Sequence, residues 1–132
     1  AVRPILKVFT PRSIIAKSLD QTMSVKAPLT EAAIDRYWEL ARYPGNRQAT
    51  GDRGDVKRVP ATPEQMKRLT MPTLVMWGAE DKLIPVRAAD WFAGAIPGAK
   101  TVIYPKVGHI PMEELPDRSA SDVRAFLEGA AK

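Results

Sequence analysis

Residues 72–111 read PTLVMWGAEDKLIPVRAADWFAGAIPGAKTVIYPKVGHIP, and the fold is decided there. Thr73 to Trp77 make a continuous apolar run, too short for a helix and closed by Gly78, which predicts a buried strand. A continuous run, rather than apolar and polar residues in alternation, predicts cover on both faces, as in a parallel sheet flanked by helices. Residues 87–96 change to helical spacing, with Ala89, Phe92, Ala93 and Ile96 on one stripe and Pro97-Gly98 as its end. A second strand is expected from Lys100 to Tyr104. A last helix is expected from about Pro116, with Ala120, Val123, Phe126 and Leu127 as the face that covers the sheet. Strand, helix, strand, helix is a parallel βαβ unit with a closing helix, so the fold class is α/β.

Upstream of Thr70 both the period and the charge change. The apolar residues Ile14, Ile15, Leu19 and Met23 recur at helical spacing after Pro11. Thr30 is placed to cap a second helix whose face carries Ile34, Trp38 and Ala41, and Pro44-Gly45 stops it. Asn46 is a candidate cap for a further short helix, which Gly51 and Gly54 weaken by about 1 kcal/mol each. Thr62-Pro63-Glu64-Gln65 has the form of a capping box. Two regions are therefore expected: a mostly helical segment over 1–69 and a strand-bearing segment over 70–132.

The chain has 132 residues, 45% of them hydrophobic, enough for one modest core. It has no cysteine and one histidine, which leaves no disulfide framework and no cluster for zinc; no cofactor or metal is expected. The net charge of +5 resides in the first half, where residues 1–70 hold 13 Lys/Arg against 7 Asp/Glu and residues 71–132 hold 7 against 8. Those cations are dispersed among acids and lack interleaved aromatics, so a solvated surface is expected and nucleic acid is not. A basic accessory domain is the rival from another class, and it would show salt-sensitive nucleic-acid binding. No apolar run approaches the roughly 20 residues of a membrane span, so no membrane association is expected and a cytoplasmic location is assigned. The opening AVRPILKVF does not resemble a signal peptide, and a missing upstream segment is expected.

Two loops carry the chemistry. The first, Gly78-Ala79-Glu80-Asp81-Lys82-Leu83-Ile84-Pro85, follows the first strand, and the second, Val107-Gly108-His109-Ile110-Pro111, follows the next. Parallel neighbours carry such loops on one edge of the sheet, where an aspartate after one strand reaches a histidine after the other. A carboxylate bound to one ring nitrogen fixes the tautomer and leaves the other nitrogen as a general base. Either residue alone is a weak signal, since loop aspartates are mostly solvated or capping and a histidine after glycine is mostly structural. The whole pattern, W-G-x-x-D-x-x-x-P, a helix, P-G-A, a strand, then G-H-x-P and a covering helix, resembles the carboxyl-terminal part of the α/β-hydrolase family. The resemblance implies a carboxyl-terminal fragment of that fold, with Asp81 as catalytic acid and His109 as catalytic base.

It also implies a nucleophile, and none is found in the chain. Ser13, Ser18, Ser24, Ser119 and Ser121 all lack the glycines of a G-x-S-x-G turn, so the nucleophile and the oxyanion hole are expected upstream of Ala1. Residues 1–69 then resemble the helical cap of this family, and Thr30 to Arg53 within them resemble cap helices of bacterial hydrolases. The activity implied is hydrolysis of an ester, or of a related carbon–carbon or amide bond, in a small-molecule substrate. An aspartate nucleophile, as in dehalogenases and epoxide hydrolases, and a non-catalytic binding member of the fold both stay open. Leu83, Ile84 and Ile110 are candidates to line a substrate pocket because they sit in the two loops, and equally suit plugging the sheet edge. Trp38 is a further pocket candidate, although Tyr37, Trp38 and Tyr43 fit helix packing better. Glu113-Glu114, just after the histidine, offer a second acid, but the expected role is to complement the start of the last helix. With only two strands, the chain is expected to need the upstream half of the hydrolase, or to self-associate through the open sheet edge.

Overall fold

The computed structural model describes residues 10–130; the opening read above, AVRPILKVF, lies outside them. The described elements are α1 (Arg12–Thr22), α2 (Glu31–Arg42), α3 (Asn46–Asp55), α4 (Pro63–Met66), β1 (Leu74–Gly78), α5 (Arg87–Ala95), β2 (Lys100–Tyr104), α6 (Pro111–Glu114) and α7 (Pro116–Ala130). They fall into two compact units, the first made of residues up to Asp20 with Leu29–Val59, the second of Gln21–Pro28 with the residues from Pro60 onward. This division differs from a boundary at residue 69: α4 and the segment 21–28 both belong with the strands. No helix among the described residues is long and apolar enough to cross a membrane.

The first unit is helical. Thr30 caps α2 as expected, its hydroxyl accepting from the Ala33 amide at 3.1 Å. Arg12 ties α1 to α2 through Asp35 at 2.5 Å and Glu31 at 2.6 Å, while Leu19 and Ile34 supply the buried apolar residues. The start of α3 differs from the expectation: Gly45, with φ of 89°, occupies the cap position and Asn46 is the first helical residue. That left-handed backbone suits glycine, whereas Asn46 turns its side-chain amide back to the Leu40 carbonyl at 2.7 Å. The α3 sequence, NRQATGDRGD, buries nothing.

In the second unit, β1 and β2 pair in parallel, with Leu74 opposite Lys100 and Gly78 opposite Tyr104. The capping box forms in both directions, Thr62 accepting from Gln65 N at 3.3 Å and Gln65 Oε1 from Thr62 N at 3.0 Å. Helix α5 crosses between the strands and buries Ala89 and Ala95, with Phe92 tilted against Trp77 at 6.3 Å. The end of β2 is fixed by Tyr104, whose buried hydroxyl donates to Asp122 of α7 at 2.9 Å. Burial, with the Asp122 carboxylate beside it, pushes that phenol up to about 12.

Cover on both faces of the sheet is not what the structure shows. In β1 only Val75 and Gly78 are buried, and in β2 only Tyr104. The α7 face expected to lie on the sheet is largely open, with Val123 and Leu127 exposed and Ser119 the buried residue. Met76, Pro111, Met112, Pro116, Ala120 and Val123 line an apolar groove there of about 620 Å³. Apolar periodicity marks which side of an element is meant to be covered, and the described residues include no third strand to cover it.

Gly78, which closes β1, is glycine because of what lies against it. Its φ is not positive, but a Cβ there would run into the carbonyl oxygens of Gly108 and Val107. Close backbone approach, not backbone freedom, selects the residue. Gly78→Ala is therefore expected to lower stability by about 1–3 kcal/mol through overpacking. Gly94→Ala, at an α5 position with nothing within 4 Å of the added carbon, is expected to raise it by up to about 1 kcal/mol through helix propensity. Denaturant unfolding of the two variants checks the contrast.

Candidate active site

The two loops leave the same end of the sheet and are joined backbone to backbone. The Ala79 amide donates to Tyr104 O and the Glu80 amide to Val107 O, both at 2.9 Å, so the acid loop lies against the chain leading to the histidine. Gly108 permits another segment of backbone to approach: a Cβ there would meet Ser24 N at 2.8 Å and Glu114 Oε1 at 2.9 Å, as well as the Thr22 carbonyl. The His109 amide donates to that carbonyl at 2.9 Å. Lys106, with φ of 62°, makes the turn that delivers Val107 and the glycine into this position.

Asp81 and His109, which follow different strands, are brought into contact. Asp81 Oδ1 accepts from the amides of Leu83 at 2.8 Å and Ile84 at 2.9 Å, the local turn typical of aspartate. Its Oδ2 is left for His109 Nδ1, at 2.7 Å. The Asp81 side chain is 2% exposed and that of His109 is 33% exposed, so the acid is covered and the imidazole is open. Burial pushes the Asp81 carboxyl up, but the hydrogen bond from His109 and the amides of Ile84 and Leu83 outweigh it and hold the group below the ordinary carboxylate range. With Nδ1 committed to a carboxylate, the neutral ring carries its proton there and presents Nε2 as the basic nitrogen.

The other site candidates are placed differently. Leu83 and Ile84 are exposed, at 55% and 45%, and touch the pair through their amides to Asp81. Ile110 is half-buried beside His109. Trp38 lies in the first unit, where its indole donates to the Thr10 carbonyl at 2.8 Å and its ring faces the Arg42 guanidinium at 4.2 Å. Both contacts lie within the helical unit.

Sequence reasoning missed Glu114. It was expected to complement the start of the last helix, yet it is buried, 3% exposed, and its carboxylate accepts from the amides of Gly108, Ser24 and Val25 at 2.8–2.9 Å. Buried charge is tolerated where donors surround it, and these donors come from loops rather than from the helix. A pair of acids, Glu113-Glu114, inside an otherwise apolar run four and five residues after the histidine is the signal the sequence offers, and it does not say which of the two is buried.

A family model for the alpha/beta hydrolase fold matches residues 13–116. The chain belongs to the alpha/beta hydrolase fold family. Among curated relatives it is 35% identical to Lipase 3 of Moraxella sp. (strain TA144) over 65 residues, covering 49% of this chain and 21% of the lipase. It is 27% identical to the uncharacterized hydrolase YugF of Bacillus subtilis (strain 168), covering 93% of this chain and 45% of that one. Among solved structures, a serine hydrolase involved in carbazole degradation (CarC) superposes with a TM-score of 0.79 at 25% identity, covering 89% of this chain and 47% of that one. The chain thus spans about half the length of these relatives, or less.

The depressed Asp81 pKa has a stability consequence with a definite sign. Where the folded carboxyl titrates below the unfolded one, the unfolded state binds more protons in the interval between them, and stability rises with pH there. The contribution is complete above the ordinary aspartate value, about 3.9, and is lost as pH falls through the lower folded value. The stability that the Asp81 carboxylate contributes over Asp81→Asn is therefore expected to be lost in the acid range below about pH 4. Denaturant midpoints collected from pH 7 downward measure it.

Proposed function

We propose that this chain supplies the acid and base of a nucleophile–His–Asp hydrolase acting on an ester bond. The observation that carries the reading is the 2.7 Å contact between the covered Asp81 carboxylate and the open His109 imidazole. In this scheme His109 Nε2 takes the proton of a nucleophile as it attacks the carbonyl carbon, then returns it to the leaving alcohol. It next takes a proton from water, which attacks the acyl intermediate, and gives that proton back to the nucleophile. Asp81 keeps its charge throughout, holds the tautomer and stabilises the imidazolium that forms twice per cycle. The similarity to a lipase favours an ester substrate, and the similarity to a serine hydrolase favours serine over aspartate as nucleophile.

The nucleophile lies outside these 132 residues in this reading, because no serine here has the flanking glycines of the nucleophile turn. The helices of the first unit, α1 to α3, serve as the cap. The unpaired edge of β1 and the apolar groove beside it receive the rest of the hydrolase core, which supplies the missing strands.

The test is turnover of a short acyl ester such as p-nitrophenyl butyrate. In a protein joining this chain to its nucleophile, His109→Ala is expected to lower kcat by about four orders of magnitude, and Asp81→Asn by a similar factor through loss of tautomer control. The 132-residue chain alone is expected to give no enzymatic turnover. Parental turnover in His109→Ala, or hydrolysis by the isolated chain, refutes the assignment.

A further inference from the structure

Glu114 has no part in the proton transfers just described, yet it is among the most enclosed polar side chains among the described residues. Its two oxygens take five contacts from four backbone amides, four of them short and one, from Ile110, long. Gly108 N lies 2.9 Å from each oxygen, Ser24 N and Val25 N lie 2.8 Å from Oε2, and Ile110 N lies 3.4 Å from Oε1. Gly108 and Ile110 are the residues on either side of His109. Ser24 and Val25 belong to the segment whose Thr22 carbonyl accepts from the His109 amide at 2.9 Å. The base therefore sits in a short piece of backbone held at three consecutive amides, two by Glu114 and one by the segment that Glu114 also holds.

The chemistry of the side chain fits this task. A carboxylate is an acceptor at every lone pair, about four in all, and has no donor to turn against an N–H. Glutamine, of nearly the same shape, would place an NH₂ group against amides that themselves donate, leaving buried donors unmatched. The place is not one a helix terminus explains, because Glu114 is the last residue of the four-residue α6 and its partners are loop amides.

We infer that Glu114 is a positioning residue for the general base: it fixes the backbone on both sides of His109, so that Nδ1 stays against Asp81 and Nε2 keeps one direction. This rests on the triad reading above. Reactions of this kind lose on the order of a hundredfold for misplacements of about 1 Å, so the effect belongs in kcat.

The experiment compares Glu114→Gln with Glu113→Gln in the intact hydrolase, with kcat taken per active site after titration by a fluorophosphonate. Glu114→Gln is expected to lower kcat by about 10–100-fold with KM within about twofold of the parent, and Glu113→Gln is expected to keep both. A role confined to stability would lower the melting temperature and the number of titratable sites but leave kcat per site at the parental value, and that result overturns the inference. If Glu114→Gln does not fold, amide exchange in the parent protein decides. Slow exchange at Ser24, Val25 and Gly108 supports the clamp, and exchange at the rate of unstructured amides refutes it. Parental kcat in Glu114→Gln beside an inactive His109→Ala removes this inference alone, whereas an active His109→Ala removes the triad reading with it.

Discussion

The parallel register of β1 on β2 sets Gly78 opposite Tyr104, so that both strands end at one level and their loops must share one small space. Everything at the site follows from how closely those loops then approach. The Gly78 backbone lies against the carbonyls of Val107 and Gly108, closer than any Cβ would allow, and the Ala79 and Glu80 amides seal the contact. A site carried on loops alone would be mobile, whereas loops bonded to each other and to strand ends hold side chains to the tolerance that proton transfer needs.

Within that frame two buried carboxylates act in different ways. Asp81 divides its oxygens, one to its own loop's amides and one to the imidazole, and so couples local backbone order to the tautomer of the base. Glu114 spends both oxygens on backbone. Each carboxylate is enclosed, and each is compensated by charge-assisted hydrogen bonds, which are stronger than neutral ones. Segment 21–28, which leaves helix α1, is bound to the strand-bearing unit by these contacts. A residue far away in sequence thereby helps to place the histidine.

The parts of this arrangement that were legible in the sequence are those set by local pattern. The run ending in Trp77-Gly78 gave its strand to within a residue, Thr30 and Thr62 marked helix starts, and the two loops were legible because Gly78 closes the strand before Asp81 and Gly108 directly precedes His109 after the next strand. Other features depended on partners distant in the chain. The role of Glu114 requires amides about 90 positions upstream, which no local spacing reveals. The open face of α7 looks the same in sequence whether or not something lies over it. Gly45, rather than Asn46, starts α3 because a left-handed residue precedes the helix, where side-chain capping preference pointed one position later. Gly78 marks the strand end in the sequence, but the carbonyls that require a glycine there come from the other loop.

The central claim is that Asp81 fixes the tautomer of His109 so that Nε2 is the basic nitrogen. The chain contains one histidine, so its imidazole nitrogens give a single assignable pair of resonances. Nitrogen-15 NMR of the folded, histidine-labelled chain, compared with Asp81→Asn, tests the claim directly. The account predicts a neutral ring protonated at Nδ1, with a downfield Nδ1 proton that disappears in Asp81→Asn. A ring protonated at Nε2, or one whose tautomer and proton shift are the same with and without the Asp81 carboxylate, would contradict it.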